Sequence, residues 1–131
     1  MHAAAFFGNF EVVRILIEFD PAYINAKEED GWTPLHLASI GHHFKDGSVI
    51  RLLLEQGADV NAQGQSGRTP LHEASASGAL EVVRLLLEHG ANVEVKDEYG
   101  DTALQDAFYQ GHDEVVELLR EHGAKLPTIT W

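Results

Sequence analysis

Cysteine is absent from the 131 residues. Its absence excludes a disulfide framework, thiolate metal sites and cysteine nucleophiles. Basic residues are scarce: 9 Lys and Arg stand against 21 Asp and Glu, a formal net charge of −12 at pH 7. Nucleic acid carries dense negative charge, so a surface this acidic is expected to be repelled from it, and anionic membrane surfaces are disfavoured for the same reason. Long apolar runs are also lacking, and nothing approaches the roughly 18 residues a membrane helix needs. The opening Met1-His2-Ala3-Ala4-Ala5-Phe6-Phe7 has no basic segment and is too short for a secretory signal. The expectation is one soluble domain, large enough to bury about two thirds of its unfolded surface, acting in the cytoplasm or nucleus.

What is present is a repeat. Gly31-Trp32-Thr33-Pro34-Leu35-His36-Leu37-Ala38-Ser39 returns as Gly67-Arg68-Thr69-Pro70-Leu71-His72-Glu73-Ala74-Ser75. A degraded copy follows as Gly100-Asp101-Thr102-Ala103-Leu104-Gln105-Asp106-Ala107-Phe108. The spacings are 36 and 33 residues. Between these blocks an apolar-periodic piece recurs, as in Glu11–Glu18, Arg51–Glu55, Glu81–Glu88 and Glu114–Glu121, followed by Gly57-Ala58-Asp59-Val60-Asn61-Ala62 and Gly90-Ala91-Asn92-Val93-Glu94-Val95. Local chemistry reads the same way. Pro34 and Pro70 sit where a first helical turn tolerates proline, with Thr33 and Thr69 ahead as N-cap acceptors. Leu80, Val83, Leu86 and Leu87 have the three- and four-residue spacing of a second helix, and glycines follow it where a left-handed residue is wanted. Each unit is therefore helix, turn, helix and projecting loop.

The period, the Thr-Pro-Leu-His block and the Gly-Ala-Asp-Val-Asn-Ala ending make the chain similar to ankyrin repeats over essentially its whole length. The resemblance implies an all-α solenoid of stacked helix-turn-helix units with projecting β-hairpin finger loops. Four units result: a partial one at 1–30, then 31–66, 67–99 and 100–131. In the last, Asp113 and Arg120 replace Leu80 and Leu87 of the preceding unit, making polar the face that a following repeat would cover, as a terminal capping repeat requires. Unit 1 shows no such change. Phe10, Val13 and Ile17 keep internal-repeat character, and Met1-His2 stands at the Leu-His position. The expectation is a piece of a longer array whose open N-terminal face can drive self-association, in a chain otherwise read as a monomer. The alternative function is then a structural or capping fragment, or an engineered scaffold. Unit 2 carries a three-residue insertion within 40–48, and unit 1 ends on Asp20-Pro21 instead of glycine; both argue against an idealised consensus design.

Candidate chemistry is thin. His36, His42 and His43 are the densest histidines, with Asp46 the only carboxylate nearby, short of a zinc ligand set. The resemblance implies that His36 and His72 bond backbone and threonine groups around the loop, while His89 and His122 stand near helix C-termini where the dipole favours positive charge. Gly64-Gln65-Ser66-Gly67 lacks the Gly-x-Ser-x-Gly spacing, and no phosphate-loop pattern occurs. No catalytic residue, metal site or cofactor is expected.

The resemblance instead implies a concave groove for a protein or peptide, built from finger tips and the exposed side of each first helix. The matching finger positions are Glu29, Asp30 and Trp32; Gln65, Ser66 and Arg68; and Glu98, Tyr99 and Asp101. On the first helices they are Leu37 and Ile40, Glu73 and Ala76, and Asp106 and Tyr109. Trp32, Tyr99 and Tyr109 are expected to be exposed anchors. Interleaved Glu28, Asp97 and the acidic residues above suggest a basic partner. Leu53, eight residues before Asn61, completes a resemblance to the finger asparagine that is hydroxylated in many eukaryotic ankyrin repeats, making Asn61 a modification candidate.

Overall fold

The computed structural model describes residues 1–40 and 47–125. His42, His43 and Asp46 lie outside the described residues, as does the segment 126–131. Among the described residues the chain forms eight α-helices and no strand. They run as α1 (His2–Phe6), α2 (Phe10–Phe19), α3 (Pro34–Ile40), α4 (Ser48–Glu55), α5 (Pro70–Ser77), α6 (Leu80–Glu88), α7 (Ala103–Tyr109) and α8 (Asp113–Glu121). The first helices pack in one row, α1 to α3 to α5 to α7, and the second helices in another, α2 to α4 to α6 to α8. The core lies between the rows, where Leu35, Leu53, Leu71, Leu86, Leu104 and Leu119 are fully buried. No single unit could bury both of its helices' apolar sides, so the units hold one another.

The threonines start the first helices by a specific bond pattern. Thr69 Oγ1 accepts from the His72 main-chain N–H, while His72 Nδ1 accepts from the Thr69 N–H at 3.0 Å. This is a capping box with histidine in the place of Glu or Gln. Thr33 and His36 repeat it at 3.1 Å, and in the last unit Thr102 pairs with Gln105. Each histidine then reaches forward with its other ring nitrogen. His36 Nε2 donates to the Arg68 carbonyl at 2.9 Å, and His72 Nε2 to the Asp101 carbonyl at 2.8 Å. His2 makes the corresponding contacts to the carbonyls of Ala26 and Trp32. One ring therefore caps its own helix and fixes the finger of the next unit.

The fingers are hairpin turns closed by main-chain bonds, Glu28 N–H to the Trp32 carbonyl, Gly64 N–H to Arg68 and Asp97 N–H to Asp101. Glu98 N–H donates across to the Ser66 carbonyl at 2.8 Å, joining successive fingers. At the finger bases, side-chain amides repeat the linkage. Asn25 Nδ2 donates to the Gly57 carbonyl while its Oδ1 accepts from Asp59 N–H, and Asn61 does the same with Gly90 and Asn92.

Candidate functional site

The fingers and first helices of units 3 and 4 converge on Arg68. Its Nε donates to Glu73 Oε1 at 2.6 Å, Nη1 to Asp97 Oδ2 at 2.9 Å and Nη2 to Asp106 Oδ2 at 2.8 Å. Thr69 starts α5, so Arg68 leaves its finger pointing along the helix that carries Glu73. The stacking register of α5 on α7 brings Asp106 alongside, and the finger of unit 4 supplies Asp97. A planar fork of donors is what lets one side chain serve three carboxylates at once. The Glu73, Asp97 and Asp106 side chains keep only 16%, 0% and 11% of their exposure. One guanidinium against three carboxylates leaves a local charge of −2 in partly desolvated surroundings.

The carboxylates differ in state. Burial pushes the Asp97 carboxyl up, but the N–H groups of Asp101 and Tyr99 and the Arg68 guanidinium outweigh it, and its pKa is held below the ordinary value. At Asp106 burial prevails over the pull of Arg68, and the pKa is raised. Burial opposes the Arg68 charge, yet Glu73 and Asp106 more than compensate and its pKa rises. Asp97 thus serves as the brace of its own turn and is the more firmly ionised of the two aspartates.

Around this cluster the structure distributes the residues singled out from the sequence. Tyr99, two residues after Asp97 on the finger, is 76% exposed, and Tyr109, one helical turn after Asp106, is 65% exposed. Tyr99 N–H donates to Asp97 Oδ1, and Tyr109 lies on the same helix as Asp106, so each leaves the backbone close to a member of the cluster. Glu98 and Gln65 are exposed at finger tips; Ser66 and Asp101 are half-buried, both engaged through their carbonyls by the neighbouring unit. Leu37, Ile40 and Ala76 are half-buried along the first helices, and Glu29 and Asp30 are exposed on the unit 2 finger.

Two expectations change. Trp32 is half-buried instead of exposed: its ring meets His36 edge-on at 5.0 Å between centroids, and it packs so close to the next finger that a Cβ on Gly64 would lie 3.0 Å from Cε3. Burying its apolar ring area outweighs leaving it in water. Asp97 is not part of an acidic surface, because its oxygens are consumed by the turn and by Arg68. His89 and His122 turn Nδ1 back to carbonyls of their own last turns, Leu85 and Leu118. Asn61 is exposed, with both ends of its amide bonded to the following loop. Among the described residues no group of His, Asp and Glu is placed to hold a metal, and no helix is long and apolar enough to cross a membrane.

Sequence reasoning missed Phe108, 54% exposed and in edge contact with Tyr109 at 6.1 Å. It also missed His112, which joins unit 4 to unit 3 by donating from Nε2 to the Ala76 carbonyl at 3.0 Å. The signal for Phe108 was its position, where the preceding units carry Ser39 and Ser75.

Comparison with known proteins agrees with this architecture. The sequence profile of the family described as ankyrin repeats (3 copies) matches residues 1–64 and 43–129. The chain belongs to the ankyrin-repeat family, whose members are generally non-catalytic protein–protein interaction modules. It is similar to protein phosphatase 1 regulatory subunit 27 of Mus musculus, 39% identical over 61 residues that cover 45% of this chain and 36% of that protein. It is also similar to ankyrin repeat and SAM domain-containing protein 3 of Homo sapiens, 41% identical over 61 residues, covering 46% of this chain and 9% of that protein. With serine/threonine-protein kinase VIK of Arabidopsis thaliana it shares 50% identity over 48 residues, 37% of this chain and 10% of that protein. The matches therefore span about a third or less of these relatives' lengths.

Proposed function

We propose that this chain is a non-catalytic binding module that takes a protein or peptide along its concave side, the finger tips and first-helix faces of units 2 to 4, and presents a site for a basic side chain at the unit 3–4 junction. The observation that carries the reading is the Arg68 cluster, with one more pair of negative charges than its guanidinium neutralises and two exposed tyrosines beside it. A Lys or Arg from a partner laid over Tyr99 or Tyr109 gains ring attraction and the field of Asp106 and Glu73 together. Because Arg68 holds the carboxylates in place beforehand, little of their entropy is lost on binding. Scaffold, adaptor or inhibitory use in the cytoplasm or nucleus fits such a module. That a relative's name describes a phosphatase regulatory subunit is consistent with action through binding.

The test is affinity capture with mass spectrometry, comparing the parent with Tyr99→Ala/Tyr109→Ala. Trp32 is left intact because its half-buried ring packs against His36 and the next finger. The reading expects a partner retained by the parent and lost by a variant with unchanged melting. Equal retention by both would remove the concave surface from consideration.

A further inference from the structure

Each first helix repeats two positions three residues apart, which share one face of the helix. In units 1 and 2 they hold Ala3 with Phe6 and Leu37 with Ile40. In units 3 and 4 they hold Glu73 with Ala76 and Asp106 with Tyr109. All of these residues are half-buried or exposed, in interior unit 3 as in the outer units, so their accessibility belongs to the position and not to an end of the array. Because α1, α3, α5 and α7 pack side by side, the pairs form one row across the molecule. The row changes chemistry halfway. Helices α1 and α3 contain no Asp, Glu, Lys or Arg, whereas α5 contributes Glu73 and α7 contributes Asp106.

The two halves select different chemistry. Over units 1 and 2, apolar side chains left half-exposed gain on the order of 25 cal/mol per Å² by being covered. A cation seated on Leu37 and Ile40 would shed water with no carboxylate on α1 or α3 in return. Over units 3 and 4, Arg68 neutralises one of the three carboxylates it meets, and the excess negative charge calls for Lys or Arg. The finger tips do not impose this division: Glu29 and Asp30 of unit 2 and Glu98 of unit 4 are exposed acids, with Gln65 between them. The helix row does. Neighbouring helix axes lie about 10 Å apart, and an extended chain rises about 3.3 Å per residue. A bound segment therefore takes roughly three residues from Leu37 to Glu73 and roughly six to Asp106.

From this division we infer that the partner segment is two-part: an apolar side chain seated on Leu37 and Ile40, and a Lys or Arg at the Glu73–Asp106 end, roughly three to six residues away. The inference rests on the concave reading above and specifies its partner. It is tested by panning a displayed library of random 12-residue peptides against the full chain. The parent is expected to enrich peptides that carry both features at that separation. Two exchanges borrow residues the repeat already uses, so the fold has precedent for them: Leu37→Glu copies Glu73, and Ile40→Ala copies Ala76. Panning on Leu37→Glu should replace the apolar preference by Lys or Arg. Ile40→Ala should weaken a parent-selected peptide about fivefold or more in fluorescence polarisation, the size of a typical anchor truncation, with melting of both variants followed alongside. Peptides enriched only in Lys and Arg, alike for parent and Leu37→Glu, would overturn the two-part partner and leave the basic-side-chain reading standing. No enrichment, or peptides indifferent to these exchanges and to Tyr99→Ala/Tyr109→Ala, would overturn both.

Discussion

Arg68 decides more of this molecule than any other side chain, because removing it leaves Glu73, Asp97 and Asp106 facing one another with little solvent. Arg68→Met keeps the volume and removes the charge. Breaking a buried pair typically costs about 3–5 kcal/mol, and the partial exposure here brings the expectation down to roughly 2–3 kcal/mol, read from denaturant unfolding; an unchanged midpoint would contradict it. The arginine and its two helix carboxylates were legible as variable positions of the repeat, yet their union was not. Sequence spacing gives the register of each unit but not which finger residue bends to which helix, and Asp97, the third partner, looked like one more solvated acid. His36 offers a second test. Burial lowers its pKa, and Thr33 N–H donates to the Nδ1 lone pair that a proton would need. A histidine whose folded pKa lies below the unfolded value near 6.5 contributes full stability above that pH and loses it as pH falls through it. His36→Gln, which the last unit already uses at Gln105, should therefore cost roughly 1 kcal/mol at pH 7.5. The gap to the parent should narrow by pH 5.5 in thermal melts, and parallel curves would contradict this.

At the scale of elements, the glycines at the ends of α5 and α7 do different work. Gly78 closes α5 at φ +73, and a Cβ there would lie 2.5 Å from His112 Nδ1. Gly111 follows α7 at φ +77 with nothing within 4 Å. Gly111→Ala is expected to cost about 1 kcal/mol for the left-handed backbone alone. Gly78→Ala should cost at least about 1 kcal/mol more, since His112 is tied to the Ala76 carbonyl and must be displaced. Equal losses in urea titrations would mean that the His112 tie is energetically empty. The helices themselves were readable in advance: the Thr-Pro starts, the apolar spacing and the closing glycines all fall where they were placed. Trp32 and His112 were not, because each is positioned by the neighbouring unit, and nothing within a single repeat records what the next one brings against it.

Across the whole molecule, a formal charge of −12 is spread over a solenoid whose layers are held by apolar contact. If the concave side meets a basic partner, association should slow several-fold as salt rises from about 50 to 300 mM, with a smaller change in dissociation, since screening acts mainly on encounter. Salt-independent association in stopped-flow mixing would exclude electrostatic recruitment. The repeat architecture followed from the period and from the family resemblance that its motifs carry, whereas the surface character did not: part of the acidic stripe is spent inside the fold, and the exposed apolar side of α2 becomes visible only when the equivalent sides of α4, α6 and α8 are seen covered. The measurement that bears most directly on the concave reading is amide hydrogen exchange of the chain with and without its captured partner. The account predicts added protection in 65–73 and 97–109, with α8 unchanged. Protection confined to α8, or to α2, would contradict it and move the functional surface to the other side of the solenoid or to its end.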